Sequence, residues 1–244
     1  MRPATILLTL TLLALSLCPT QGTAQVEEDP DRLYVGREDL SNALAAAATW
    51  ERRLAARPDD YESAWKLARA CYWLGGHVPP SDRRAQLDRG IAAARRAVAA
   101  DPRGPAGHFW LAATMGAMAE AAGLSAGLRY RGEIKRELET VLGLDPSFEK
   151  GSADRALGRW YFKVPRLFGG SNDKSLDHLR RSLTFDPNSA ASLSFLADTL
   201  LDMKKRAEAR LALEQVLTVA VDPEWAPETR EFQRQAAATL ERLR

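Results

Sequence analysis

The sequence predicts an all-α fold, a right-handed α-solenoid of helical hairpins, on three observations. Proline junctions recur along the chain, at Pro58, Pro102, Pro146, Pro187 and Pro223, in steps of 44, 44, 41 and 36 residues. Apolar residues between the junctions follow helical spacing, and β-branched residues do not alternate as in strands. Proline cannot continue a helix and disfavours helix in its predecessor, so regularly spaced junctions indicate stacked helical repeats.

A single helix opens the predicted array at about residues 41–56, where the chain is rich in alanine. Four hairpins follow, one after each of the first four prolines, and a closing helix is expected at about residues 227–243. A flanking helix at each end covers the apolar face that a terminal repeat would otherwise expose. Residues 25–244 are therefore interpreted as a single helical repeat domain.

The first 24 residues are predicted to be a cleaved signal peptide. Arg2 gives a positive start, residues 6–17 form an almost unbroken apolar run, and residues 22–24 are the small residues that signal peptidase requires. A helix of that run would span only ~18 Å, against ~30 Å for the hydrocarbon core of a bilayer. We therefore expect export to the bacterial periplasm rather than a membrane anchor.

The two cysteines of the chain have different expected fates. Cys18 ends a segment that resembles a lipobox, but the residue before a lipidated cysteine is small and Leu17 is not, so lipid anchoring is the less favoured alternative. Cys71 would be the single cysteine left after cleavage, which excludes an internal disulfide. Its neighbours Tyr72 and Trp73 lie in a helical pattern, which favours a buried structural thiol.

Charge and motif content exclude several classes of function. The formal net charge is +2, and removing a leader whose single charged residue is Arg2 leaves +1, which is no excess for binding nucleic acid. His77, His108 and His178 lie far apart, and the sequence contains neither a metal-binding motif nor a glycine-rich phosphate loop. We therefore expect no nucleic acid partner, metal, cofactor or catalytic residue, and the protein is predicted not to be an enzyme.

One internal motif appears when the segments are aligned on their prolines. A leucine followed by alanine falls nine and ten residues after three of the prolines, as Leu67-Ala68, Leu111-Ala112 and Leu196-Ala197. The third unit has Leu157-Gly158 two residues later, a slip that Gly151-Ser152 would absorb. The pattern resembles the tetratricopeptide repeat, in which the small residue lets paired helices pack closely.

Three segments between paired helices are predicted to be enlarged loops. The steps exceed the 34-residue length of this repeat type by 10, 10, 7 and 2 residues. Proline alignment assigns most of the excess to residues 75–84, 123–132 and 164–173, with Gly75-Gly76 and Gly169-Gly170 as turn residues. Equivalent loops of a solenoid emerge on one side, so this edge is a candidate working surface.

The first helices of such repeats line a concave groove, and the register indicates which side chains face it. The predicted groove residues are Trp65, Arg69, Trp73, Phe109, Arg155, Arg159 and Lys163. The last three are spaced by four and share one helical stripe. An aromatic zone that leads into a basic zone favours a small anionic or amphipathic ligand, whose apolar part packs on the aromatics while the cations hold a carboxylate.

Structural roles are the alternative for the charged groove residues. Arg159 can oppose Asp198, and Lys163 can oppose Asp202, as exposed ion pairs between neighbouring repeats. Such pairs are typically worth only ~0–1 kcal/mol.

Aromatic residues at helical spacing are more often part of a core than of a ligand cage. The sequence accordingly assigns Trp110, Trp160 and Tyr161 to the core. Trp65 and Trp73 fit the core or the groove equally well, and the sequence leaves both roles open.

The stretch from Leu157 to Gly170 carries a narrower resemblance. A helix rich in glycine and aromatic residues leads into a proline-containing loop that closes with Gly169-Gly170. This stretch looks like the hallmark of the T-component family of tripartite ATP-independent periplasmic (TRAP) transporters, and residues 231–240 are also similar to that family's closing helix. The resemblance implies an exported, non-enzymatic repeat protein that associates with a periplasmic solute-binding protein and forms a trimer.

Two hypotheses of function follow from these resemblances. The leading one is an accessory periplasmic component of a TRAP-type transporter, which docks a solute-binding protein. Its interface or channel lining would be the loop of Arg166, Leu167, Phe168, Gly169 and Gly170, with a buried plug as the alternative. The second is a general tetratricopeptide adaptor in cell-envelope assembly, whose groove holds a segment of another protein.

Overall fold

A computed structural model describes residues 28–244, and for residues 124–126 it describes the backbone alone. The expected signal peptide and Cys18 lie outside the described residues. The helices are α1 (Pro30–Val35), α2 (Leu40–Ala56), α3 (Tyr61–His77), α4 (Pro80–Ala100), α5 (Pro105–Ala122), α6 (Leu124–Leu144), α7 (Phe148–Lys163), α8 (Asn172–Phe185), α9 (Ala190–Asp202), α10 (Arg206–Thr218) and α11 (Ala226–Arg242). Short 3-10 turns occupy Arg166–Phe168 and Pro223–Trp225. This part of the chain contains no strand, so the all-α prediction is confirmed.

The helices pair into four hairpins, α3–α4, α5–α6, α7–α8 and α9–α10, with α2 before them and α11 after them. Only the short helix α1 was not expected. Each first helix also contacts the first helix of the next hairpin, from α3 to α5, α7 and α9. Second helices lack comparable contacts with one another in the described residues. The first helices therefore line the inner, concave side of a curved stack.

A repeated turn at the proline junctions makes the spacing of the hairpins regular. At four junctions an aspartate side chain accepts a hydrogen bond from the backbone N–H two residues later, an Asx turn. The four aspartates are Asp101, Asp145, Asp186 and Asp222. The backbone carbonyl of the same residue accepts from the N–H three residues later, a bond that Arg57 also makes. The Asp-Pro pair thus ends one helix and directs the chain into the next.

Small residues let the paired helices approach closely, as the aligned motif predicts. Ala68, Ala112 and Ala197 are all buried, and so is Gly158 of the third unit. A Cβ atom on Gly158 would lie 2.5 Å from Leu179 Cγ on the partner helix. Larger side chains at these positions would separate the helices and cost packing free energy.

The aromatic residues assigned to the core divide into two groups. Trp110 and Tyr161 are buried, whereas Trp160 is half-buried and its indole N–H donates to the carbonyl of Arg131 at 3.0 Å.

Cys71 is fully buried as a free thiol, in agreement with its predicted structural role. None of the helices in residues 28–244 is both long and apolar enough to cross a bilayer.

Two of the three predicted enlarged loops are wrong. Residues 75–84 and 123–132 lie almost wholly in helices, and the excess length goes into α4 and α6, which have 21 residues each against 14 in α8. Gly75 and Gly76 are helical rather than turn residues, and a Cβ on Gly75 would lie 2.4 Å from Leu87 Cδ2. Gly123 alone, at φ +80°, makes the turn between α5 and α6.

The third unit is irregular in two places. Residues 164–171 do form an extended connection, closed by a hydrogen bond from Ser171 N–H to the Tyr161 carbonyl at 2.9 Å. The two-residue slip is absorbed by Glu149, Lys150 and Gly151, which adopt left-handed conformations at φ +43°, +57° and +77°. Left-handed backbone is unfavourable for residues with a Cβ, so this kink stores strain.

Candidate functional site

The concave face has a trough whose floor is one side of α5. Ala113, Gly116, Ala117 and Glu120 share that side, and a Cβ on Gly116 would meet no atom within 4 Å. Since three of these four residues are small, side chains on α3 and α7 face one another across α5. Tyr72 on α3, whose ring is 5.7 Å from that of Trp110, is 42% exposed, and the charge of Glu120 on this floor acts on its hydroxyl.

Arg69 and Trp65 lie together at one end of the trough. The Arg69 guanidinium lies 4.3 Å from the centre of the Tyr34 ring and 5.1 Å from that of Trp65. Although Arg69 is only 7% exposed, its ion pairs are long, 3.7 Å to Asp31 and 3.8 Å to Glu224, and its buried Nε has no hydrogen-bond partner in the described structure. These residues line a cavity of about 350 Å³.

Trp73 and Phe109, also predicted to face the groove, are 7% exposed each and lie in the main apolar cluster. The Trp73 indole N–H donates to the Arg37 carbonyl at 3.1 Å, and its ring stacks on His77 at 3.6 Å. The Phe109 ring packs against Trp110 and Phe148. Both side chains thus support the wall of the trough from within.

Of the predicted basic stripe, two members have partners. Arg159 makes a 2.7 Å ion pair with Asp198, as the structural alternative anticipated. Lys163 lies 3.3 Å from Glu120 on α5, rather than beside Asp202, which accepts a hydrogen bond from Asn172. Both pairs are substantially exposed and contribute little to stability.

Arg155 differs from the rest of the stripe. It is half-buried and makes no hydrogen bond or ion pair with any residue in 28–244. Burial lowers its pKa, and the charges of Glu149 and Tyr72 oppose that effect. A cation held in place without a partner costs free energy, which a bound anion would offset.

Glu149 lies in the left-handed kink that precedes Arg155. Its Oε2 atom is buried and has no hydrogen-bond partner within the described residues. Burial raises the pKa of this carboxyl to about 7, while Arg155 and Arg69 lower it and Glu224 raises it further. Glu149 therefore exchanges a proton near neutral pH.

The two ends of the repeat stack meet beside the trough, which the sequence did not indicate. Arg37, between α1 and α2, donates to both carboxylate oxygens of Glu228, at 2.5 and 3.2 Å, and to the Glu224 carbonyl at 2.7 Å. A second bridge joins Arg230 to Glu38 at 2.8 Å. These contacts connect residues near the two ends of the array, and no periodic pattern could have revealed them.

The loop predicted to be an interface lies at the far end of the third hairpin. Arg166, Leu167 and Phe168 form the 3-10 turn, and Gly169 follows at φ +106°. A Cβ on Gly170 would lie 1.7 Å from the Val164 carbonyl oxygen, so a larger residue would not fit this turn. Leu167 is 88% exposed, and Phe168 lies 5.4 Å from the Arg131 guanidinium. The loop is an exposed surface feature, so the alternative of a buried plug is wrong.

The paired helices, the small residues between them and the curved stack define a helical-repeat protein of the tetratricopeptide type. The chain belongs to the family of regulator of microtubule dynamics proteins 1-3, whose sequence model matches residues 28–168, more than half of the chain. No curated protein matches it in sequence.

Solved structures with the same fold come from several proteins. TTC0263, a tetratricopeptide repeat protein of Thermus thermophilus, is 23% identical over 88% of this chain and 98% of its own, with a TM-score of 0.66. MamA is 14% identical over 82% of this chain and 95% of its own, with a TM-score of 0.51. Human IFIT1, in a dimer with PPP-AAAA, is 19% identical over 83% of this chain and 45% of its own, with a TM-score of 0.52. At these identities the likeness shows the fold alone.

Proposed function

We propose that this chain is an exported, non-enzymatic scaffold whose concave trough binds an extended segment of a partner protein. The observation that carries the proposal is the floor of α5, where Ala113, Gly116 and Ala117 leave open space between the side chains of α3 and α7. An extended chain needs such a trough, with polar groups along its walls for backbone and side-chain contacts. Tyr72 and Arg155 supply groups of this kind.

The mixture of charges along the trough favours a protein segment over nucleic acid. Arg155 and Arg159 are interspersed with Glu120, Glu149 and Glu228, so the surface offers both signs. Binding to a phosphate backbone relies on an excess of positive charge, which is missing here. We therefore do not extend the binding of PPP-AAAA by IFIT1 to this chain.

Site-specific cross-linking tests the location of the partner. A photoreactive amino acid is placed at Ala117 on the trough floor, and the matched control carries it at Arg84, which is exposed on α4. We expect a defined protein adduct in cells from position 117 and not from position 84. Equal adducts from both positions, or adducts from position 84 alone, would place the partner elsewhere.

The more specific proposal is that the partner is a periplasmic solute-binding protein of a TRAP-type transporter. It is supported by the resemblance of residues 157–170 and by the exposure of Leu167 in a loop of defined shape. The purified chain is expected to co-migrate with the solute-binding protein encoded by a neighbouring gene, and Leu167→Asp to weaken this association. Light scattering of the same samples tests the expected trimer.

A role as an adaptor in cell-envelope assembly is the competing proposal. The trough supports it equally well, because any extended segment could occupy it. The family is named for regulators of microtubule dynamics, which describes other members. Fractionation of cells that express the full chain tests the shared requirement for export, because recovery from the cytoplasm alone would exclude both periplasmic proposals.

A further inference from the structure

We propose that Arg155, Tyr72 and Glu149 form a binding site for a carboxylate group in the concave trough, and that Glu149 is protonated when the site fills. The carboxylate belongs either to a small organic acid or to an acidic side chain of the partner segment. The second source rests on the proposed function above, whereas the first does not require a protein partner.

Arg155 supplies the positive charge of the site. Its neighbours on the stripe, Arg159 and Lys163, are each paired with a carboxylate, whereas Arg155 contacts none within the described residues. A guanidinium presents several N–H donors in one plane and binds a carboxylate through two of them. Among the three cations of the stripe, Arg155 is therefore the one whose donors are available to a ligand.

Tyr72 approaches the site from the opposite wall. Its hydroxyl makes no hydrogen bond with any residue that the structure describes, and the charges of Arg155 and Arg159 act on it across the floor of α5. Although Tyr72 is 42% exposed, protein surrounds it on the inner side of the curved stack, and this burial raises the pKa of its hydroxyl. The phenol therefore remains protonated and can donate a hydrogen bond to an anion.

Glu149 completes the site and makes it sensitive to protons. At the strained kink, one carboxyl oxygen of Glu149 is buried and has no hydrogen-bond partner among residues 28–244. An ionised Glu149 would repel a bound carboxylate, whereas a protonated Glu149 can donate a hydrogen bond to it. Binding of a carboxylate therefore favours protonated Glu149, because two neighbouring carboxyl groups share one proton more readily than both ionise.

The charged groups that face Glu149 come from three elements. Arg155 lies on α7, Arg69 on α3 and Glu224 in the turn before α11. The two arginines lower the pKa of Glu149 and Glu224 raises it, but burial is the largest effect, so the pKa lies at about 7. A bound carboxylate adds a second negative charge beside Glu149. Because about a quarter of Glu149 is already protonated at pH 7.5, we expect uptake of between about half and three-quarters of a proton per site.

Calorimetric titration of the purified protein tests the proposal, with two probes for the two sources. One probe is octanoate, and the other is a peptide with blocked termini and one glutamate between leucines. Octanamide and the glutamine peptide are the neutral controls. Titration in buffers of different ionisation enthalpy measures the protons taken up. We expect at least one acid to bind with proton uptake, and its affinity to fall as the pH rises from 6.5 to 8.5.

Three variants locate the site, and thermal unfolding checks that each is folded. Arg155→Gln should lose roughly tenfold or more in affinity, as loss of a hydrogen bond to a charged group does. Tyr72→Phe should lose less affinity than Arg155→Gln. It still tests the site if Arg155→Gln does not fold. Glu149→Gln should still bind the acid but without proton uptake. Arg84→Gln, on the exposed surface of α4, is the matched control and should bind normally.

The outcomes separate this proposal from the proposed function. If neither acid binds more tightly than its amide, or if Glu149→Gln still takes up protons, the proposal is wrong. Binding unaffected by both Arg155→Gln and Tyr72→Phe would also overturn it. Each of these results leaves the cross-linking test at Ala117 untouched. Octanoate binding without a cross-linked partner would instead support the site and contradict the scaffold.

Discussion

The Arg37 guanidinium donates to the Glu228 carboxylate at 2.5 Å, across 191 residues of sequence. Arg37 is 1% exposed and its other donors reach the carbonyls of Tyr34 and Glu224. The bond joins the start of the helical array to the segment that enters α11. The 3-10 turn before α11 therefore borders the concave trough on this side. Because this bond links the two ends of the array, the curvature of the stack depends on contacts between residues far apart in the sequence.

Arg37→Met is expected to lower the free energy of unfolding by about 3 kcal/mol, because it leaves Glu228 without its partner. The matched control is Arg230→Met, which breaks the exposed bridge to Glu38 between the same two ends and should cost no more than about 1 kcal/mol. Urea unfolding measures both. Equal effects would show that the two ends are not held together by the buried bond.

Glu149→Gln is expected to change how stability depends on pH. In the unfolded chain this carboxyl ionises near 4.5, whereas in the folded protein its pKa is about 7. Between these values the folded state binds more protons, so this group lowers stability as pH rises, and the loss is complete above pH 7. The difference in stability between the variant and the parent should therefore shift in favour of the variant as the pH rises from 5 to 8.

Melting temperatures at pH 5 and pH 8 measure this gain. Glu241→Gln, which changes an exposed carboxyl near the C-terminus, is the control and should show no comparable difference. A gain of equal size at both pH values would mean that Glu149 does not titrate in this range.

Gly158→Ala is expected to destabilise the third hairpin. The added Cβ would lie 2.5 Å from Cγ of Leu179, which is fully buried and cannot move aside without disturbing the core. We expect a loss of about 1–3 kcal/mol in unfolding free energy. Gly116→Ala is the matched control, since its Cβ enters open space and should stabilise α5 by about 0.5–1 kcal/mol. A neutral result at Gly158 would contradict the close approach of α7 and α8.

The Cys71 thiol is expected to be unreactive in the folded protein. Burial raises its pKa to about 12, so its thiolate fraction at pH 8 is on the order of a thousandfold below that of a free cysteine. A disulfide reagent should modify it only after denaturation. Cys71→Ala provides the background, including any reaction at Cys18, and rapid modification of native protein would show that the first hairpin opens.

Much of the fold was predictable because its determinants are local. The Asp-Pro turns, the helical spacing of apolar residues and the leucine followed by a small residue act within one repeat, so they predict the helices and their pairing. The loop lengths were not predictable in the same way. Proline alignment cannot distinguish a longer loop from a longer helix, and at residues 75–84 the chain extends its helices instead.

The candidate site was predictable only in part. Trp65 and Arg69 line a cavity and Arg155 is half-buried, but the pairing states of the charged residues depend on neighbours from other repeats. Arg159 pairs with the expected partner Asp198, which lies on the following hairpin. Lys163 pairs instead with Glu120, which lies on the preceding hairpin. The aligned pattern marked the two-residue slip, yet it did not reveal that Glu149 would adopt a left-handed conformation and bury a carboxyl oxygen.

The sequence by itself determined an all-helical repeat array, its register and the location of its one irregular unit, because turns, helix ends and close helix contacts depend on residues near one another in the chain. The tertiary structure decided which charges are paired, where the two ends meet and which carboxyl titrates near neutral pH. Those properties depend on the curvature of the stack, which brings α3, α7 and the turn before α11 together across the small side chains of α5.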